Sequence, residues 1–154
     1  MEGKGRITGH TGLLALIGSP VGHSGSPAMY NYSFEKLGLD YAYVAFDIKV
    51  EEVKAALDAM RLFHMRGCNV TMPCKTEAAK YMDELSPAAR IIGAVNTIVN
   101  EDGKLIGHMT DGEGFVGNLR DHGIEIKGKK ITVAGGGGAA TAIQVQCALC
   151  LLYT

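Results

Sequence analysis

A lysine two residues beyond a proline, an aspartate between a threonine and a glycine, two serines flanking one glycine, and four successive glycines stand out in this 154-residue sequence. Lys75 follows Pro73 at the start of a helical stretch that succeeds a short strand. It therefore falls near the positive end of a helix dipole and near the carboxyl edge of a sheet, where ligands of α/β folds gather. A lysine there is either a general acid or base or an ordinary solvated side chain. Asp111 is either the N-cap of the helix that follows or a functional carboxylate. Ser24 and Ser26 form an N-cap pair or hold a small polar ligand at a helix start. Gly135, Gly136, Gly137, Gly138, Ala139 and Ala140 follow a predicted strand over 129–134 and open an Ala-rich helix. Gly135, Gly137 and Ala140 fit G-x-G-x-x-A, in which the backbone approaches a pyrophosphate and helix N–H groups receive it. The residue that would read the cofactor ribose is expected about 20 positions on, so NAD and NADP are not separated.

Other reactive side chains carry less. The five histidines show no i, i+3 or i, i+4 pair and no completing ligand set, so no metal site is expected. Cys147 and Cys150 have the spacing of a redox or zinc half-site, but no second pair lies near and both fall on a helix, so packing is expected. Cys68 and Cys74 complete a set of reduced thiols. Tyr30, Tyr32, Tyr41 and Tyr43 recur at packing periods and belong to the edge of a core.

The elements that position these groups follow from pattern and punctuation. An apolar run over 13–17, ended by Gly18-Ser19-Pro20, predicts a buried strand. Ser26 as N-cap, Pro27 behind it and Gly38 as the left-handed stop predict a helix over 27–37. A strand over 41–46 is followed by a helix whose buried face is Val53, Ala56, Leu57 and Met60. A strand over 67–71 and a helix from Pro73 through Tyr81 come next, then a short helix opened by Ser86-Pro87 and closed by Gly93. Strands over 94–99 and 105–108 form a hairpin about a four-residue turn at 100–103. Asp111 opens a helix through Asp121. This alternation predicts an α/β fold with a mixed, mostly parallel sheet and helices on both faces. It is followed by the start of a truncated Rossmann domain, so the division is 1–124 and 125–154.

Composition narrows the function classes. Fifteen basic against 16 acidic side chains leave a formal charge of −1, which gives no pull toward nucleic acid or anionic lipid. No run approaches the roughly 18 apolar residues of a membrane span, and no leader pattern is seen, so a cytoplasmic location is expected. An unfinished second domain would expose an apolar face, which favours self-association.

Five ordered motifs resemble the shikimate dehydrogenase family, including its quinate/shikimate relatives. They are Gly22-His23-Ser24-Gly25-Ser26-Pro27-Ala28-Met29, Asn69-Val70-Thr71-Met72-Pro73-Cys74-Lys75, Gly93-Ala94-Val95-Asn96-Thr97, Thr110-Asp111-Gly112-Glu113-Gly114-Phe115 and the glycine turn. The resemblance implies that 1–124 is a substrate-binding catalytic domain and 125–154 the first β-α unit of an incomplete dinucleotide-binding domain. It implies Ser24 and Ser26 on the substrate carboxylate, Thr71, Asn96 and Asp111 on the ring hydroxyls, Lys75 with Asp111 as the catalytic pair, and Gly135 to Ala139 on NAD or NADP. The implied reaction is reversible reduction of 3-dehydroshikimate to shikimate in aromatic amino acid biosynthesis, with quinate as an alternative substrate.

Gly25 stands where leucine is usual in that family, Cys74 where histidine or asparagine is usual, and Met109 where asparagine is usual. The terminal Cys150-Leu151-Leu152-Tyr153-Thr154 does not resemble the family's continuation. A truncated chain with little turnover of its own is expected. The competing expectations are a non-redox module that binds a small carboxylate, and another two-domain dehydrogenase with a lysine in its cleft, such as the methylene-tetrahydrofolate type. The paired serines and the Thr-Asp-Gly stretch argue against the latter.

Overall fold

The computed structural model describes residues 7–152, the side chains of 151 and 152 excepted. The terminal pentapeptide singled out above therefore reaches outside the described residues. The first strand, β1 (Gly12–Gly18), leads through a loop to α1 (Ser26–Leu37), and β2 (Tyr41–Asp47) leads through a short 3-10 turn to α2 (Val53–Leu62). β3 (Gly67–Val70), α3 (Lys75–Ala79), β4 (Glu84–Leu85) and α4 (Pro87–Ile92) follow, then β5 (Thr97–Glu101), β6 (Lys104–His108), α5 (Asp111–Asp121) and α6 (Gly138–Leu152).

The six strands form one sheet in the order β2-β1-β3-β5-β6-β4. β1 is parallel to both β2 and β3, and β4 is parallel to β6. β5 runs antiparallel to β3 and β6. Alternation along β1 divides the core between the two faces. Ala15 and Ile17 pack with Val53, Leu57 and Met60 of α2, Ala78 of α3 and Ala89 of α4. Leu16 packs on the opposite face with Tyr43 and Val21, against Tyr30 and Phe34 of α1. Helices thus cover both faces, as the alternating pattern requires. Leu57 is fully buried, and such a side chain contributes about 2 kcal/mol by leaving water.

The stop signals act as expected at α1 and α4. Gly38 (φ 67°) and Gly93 (φ 71°) take the left-handed conformation at the two C-caps, and Ser86 Oγ accepts the Ala89 N–H at 3.3 Å.

Several boundaries differ from the sequence pattern. Ser26 is the first residue of α1 rather than its N-cap; Gly25 holds that position without a side-chain bond, and Ser24 Oγ instead accepts the Ser26 N–H at 3.2 Å. The hairpin closes on Asp102-Gly103 alone, because both take positive φ (51° and 95°) while Glu101 still pairs with Lys104. That is the two-residue turn suited to twisted strands. β5 begins at Thr97, three residues late: Gly93 caps α4, and the Val95 N–H is spent on the Lys75 carbonyl at 3.1 Å. α3 ends at Ala79 because the chain is drawn into β4, where the Asp83 N–H reaches the Leu105 carbonyl at 2.9 Å. No strand forms over 129–134. An isolated strand there would have its ladder groups unpaired, and among the described residues no edge is offered to it.

Candidate functional site

Strand directions gather four loops at one sheet edge. β1 and β3 are parallel neighbours, so their carboxyl ends coincide: the Thr71 N–H donates to the Ile17 carbonyl at 2.9 Å and the Ser19 N–H to the Met72 carbonyl at 3.0 Å. β5 is antiparallel to β3 and so starts where β3 stops, with the Val70 N–H donating to the Asn96 carbonyl at 2.8 Å. β6 turns back to the same edge, where the Asn96 N–H meets the His108 carbonyl at 2.9 Å. Residues 19–26, 71–75, 93–96 and 109–111 consequently share this edge, the customary ligand-binding side of an open α/β sheet.

Lys75, Asn96 and Asp111 come together there, although they are separated by up to 36 residues in sequence. Lys75 Nζ lies 2.7 Å from Asp111 Oδ2, and Asn96 Nδ2 donates to Asp111 Oδ1 at 2.6 Å. The lysine and aspartate side chains are 27% and 38% exposed, so the pair is open to a ligand while anchored from behind. The Asn96 amide is held in one orientation. Its Oδ1 accepts the Thr110 N–H at 3.0 Å, an unambiguous donor, which leaves Nδ2 for the carboxylate. Asp111 is therefore not the N-cap of α5. Thr110 occupies that position, with no side-chain cap bond, and the carboxylate is engaged by Lys75 and Asn96.

Ser24 and Thr71 on the loops and Ser26 at the first position of α1 lie at this edge, partly buried, with no hydrogen bond from their side chains to the trio. The Thr71 methyl sits against Gly18, where a Cβ would come within 2.5 Å of it and φ is +151°. Only glycine fits that turn. Gly135 (φ +122°), Gly136, Gly137 and Gly138 lead into α6 with open space where a Cβ would stand at each, and Ala139 begins its first turn. They lie at the start of a 15-residue helix whose first N–H groups lack helical partners.

Behind the trio stand residues to which the sequence assigned no site role: Asn69, Thr97 and Thr110, which lie within the quoted motifs, and Tyr43, read there as core edge. Tyr43 Oη donates to Asn69 Oδ1 at 2.8 Å, and Asn69 Nδ2 lies 3.3 Å from Thr97 Oγ1. The available signal was a polar residue, Asn69, inside a strand between buried Cys68 and Val70. Among the described residues no cluster of three metal-ligating side chains exists, and no helix is long and apolar enough to cross a membrane.

The lysine, carboxylate and amide thus meet on the loop-bearing edge of a mixed α/β sheet, and the wider comparisons place the chain within one family. Residues 16–98 match the shikimate dehydrogenase substrate binding domain, and the chain belongs to that family. It is 55% identical over 144 residues to a shikimate dehydrogenase (NADP(+)) of Listeria monocytogenes, a match that covers 94% of this chain and 50% of the relative. The crystal structure of a shikimate 5-dehydrogenase from Listeria monocytogenes in complex with shikimate and NAD, also 55% identical, superposes with a TM-score of 0.91 over 94% of this chain and 50% of that one. A 5-ketofructose reductase of a Gluconobacter strain, 33% identical, gives 0.89 over 94% and 52%. The chain spans about half the length of the curated relatives it matches.

Proposed function

We propose that this chain is the substrate-binding half of an NAD- or NADP-dependent shikimate dehydrogenase, which reversibly reduces 3-dehydroshikimate to shikimate in aromatic amino acid biosynthesis. The observation that carries the reading is the contact of Lys75 and Asn96 with the two oxygens of Asp111 at the loop-bearing sheet edge. Oxidising a secondary alcohol requires loss of the hydroxyl proton as hydride leaves carbon. Lys75 takes or returns that proton, Asp111 orients the ammonium and the hydroxyl, and Asn96 fixes Asp111. Ser24 and Ser26 hold the substrate carboxylate, and Thr71, Lys75, Asn96 and Asp111 the ring hydroxyls.

The nicotinamide supplies the hydride acceptor when bound. The open glycines and the helix start fit the diphosphate of such a cofactor, so Gly135, Gly136, Gly137, Gly138 and Ala139 would hold it. In this reading residues 1–124 are the substrate-binding catalytic domain and 125–154 the first unit of the dinucleotide-binding domain.

Titration calorimetry with shikimate on the 154-residue chain tests the reading directly. Saturable binding that is lost in Asp111→Asn or in the Ser24→Ala, Ser26→Ala pair supports it, and no binding by the unaltered chain refutes it. The likeness to a 5-ketofructose reductase favours one second reading, a dehydrogenase of another polyol. Quinate in the same titration separates the two, since tighter binding of quinate than shikimate supports the quinate-preferring form.

A further inference from the structure

We infer that Tyr43 is a positioning residue for the Lys75, Asn96 and Asp111 site and acts through a directed chain of hydrogen bonds that crosses the sheet. The inference rests on the proposed function for its role in substrate binding, but its geometry does not. Tyr43 is only 3% exposed and its ring is stacked on Tyr30 of α1 at 4.5 Å. Its backbone is held from α1 as well. Asn31 Nδ2 donates to the Tyr43 carbonyl at 2.8 Å, and Asn31 Oδ1 accepts the Tyr43 N–H at 2.9 Å. The hydroxyl thus has a fixed position two strands away from the site, and it points at Asn69.

From there every bond runs the same way. Tyr43 Oη donates to Asn69 Oδ1 (2.8 Å), Asn69 Nδ2 to Thr97 Oγ1 (3.3 Å), Thr97 Oγ1 to Asn96 Oδ1 (3.2 Å), and Asn96 Nδ2 to Asp111 Oδ1. Asn69 Nδ2 also approaches the Asn96 carbonyl at 3.4 Å. The step that Tyr43 reinforces is the second. An asparagine amide turned over would place its oxygen toward Thr97, so the threonine hydroxyl would donate to Asn69 instead of Asn96. The Asn96 carbonyl, which can only accept, holds Asn69 Nδ2 on its side, and the Tyr43 hydroxyl then donates to Oδ1 and locks the orientation that sends the Thr97 proton toward Asn96. Burial, with Tyr30 and Cys68 beside it, pushes the tyrosine well above its ordinary range, so the donor is present at all physiological pH values. Partly buried polar chains of this kind stay ordered only when every member is satisfied, and no buried side-chain N or O among the described residues lacks a partner.

The experiment is a double-mutant cycle on the 154-residue chain between Tyr43→Phe and Asn96→Ala, read by shikimate calorimetry with thermal melting in parallel. The expected result is a three- to tenfold loss of shikimate affinity in Tyr43→Phe that shrinks to less than twofold when Asn96 is already alanine. An unchanged affinity in Tyr43→Phe overturns the inference, as does an equal loss in both backgrounds, which would mark a general packing effect. Side-chain amide resonances of Asn69 and Asn96 provide a readout independent of substrate. They shift in Tyr43→Phe if the inference holds and stay in place if it does not, even where the unaltered chain fails to bind shikimate and the proposed function falls. Thr97→Val removes the middle link without touching Tyr43. It must reproduce the Asn96 shift, and failure to do so also overturns the chain.

Discussion

At the level of single residues, the proposed chemistry rests on the ion pair between Lys75 and Asp111. Lys75→Ala leaves Asp111 with Asn96 alone. In a chimera joining this chain to the second half of the Listeria relative, kcat for shikimate oxidation is expected to fall about 10²- to 10⁴-fold, with shikimate affinity nearly intact. Steady-state NADP-linked assays check this, and an unaltered kcat removes the lysine from the mechanism. Thiols offer a separate test of the interior. Burial pushes the Cys68 thiol up to about 12, and burial with Glu51 and Glu52 nearby raises Cys74. The thiolate is the reactive form. A thiol reagent at pH 8 is therefore expected to modify Cys150, which is only half-buried, before Cys68 or Cys74, as followed by peptide mass mapping. Rapid native labelling of Cys68 would contradict its placement. Lys75 and Asp111 were legible in the sequence because motif order marked them. Tyr43 was not, because a tyrosine at a packing period looks the same whether or not its hydroxyl has work beyond the core.

At the level of elements, Asp83 ties β4 to the rest of the sheet. Its Oδ2 accepts the Leu105 N–H at 2.7 Å and meets Arg61 of α2 at 2.9 Å. The Leu105 N–H and the guanidinium hold its carboxyl below the usual carboxylate value. A carboxylate with a lowered folded-state pKa contributes stability that is present above the unfolded value, about 3.9, and is lost as pH falls through the folded value. Asp83→Asn should accordingly lower the melting temperature at pH 7, with the difference from the parent shrinking below about pH 4. Melts across pH measure this, and a constant difference would contradict it. Gly18 is the second element-scale test. Gly18→Ala places a methyl against Thr71 at a positive φ and should cost about 1–3 kcal/mol, seen in urea unfolding. Strands, caps and the α2 face were legible because period and punctuation are local. β4, two residues long, was not: it exists only because β6 offers it an edge, and no local pattern encodes a neighbour. The absent strand over 129–134 has the same cause with the opposite sign.

At the scale of the whole molecule, α6 is mounted on the part of the chain that forms the sheet. Val116 of α5 packs with Ile126 and with Cys147 of α6, while Ala142 joins the main core. A Cβ on Gly112 would run into the Ala142 carbonyl and within 2.6 Å of Gln146 Cβ, so the two helix backbones lie directly on one another one residue from Asp111. Gly112→Val is expected to unseat α6 and to weaken shikimate binding through Asp111. Hydrogen exchange along 138–150 reads the first effect and calorimetry the second; protection equal to the parent would contradict the packing.

The amide of Asn31 has a consequence for behaviour in a crowded solution. β2 is an outermost strand, and such a strand offers any other polypeptide a template for ladder growth. With the N–H and C=O of its third residue, Tyr43, already claimed by a side chain from α1, the border is closed partway along its length. Fibrillar zippering from molecule to molecule along that border is thereby interrupted by one asparagine.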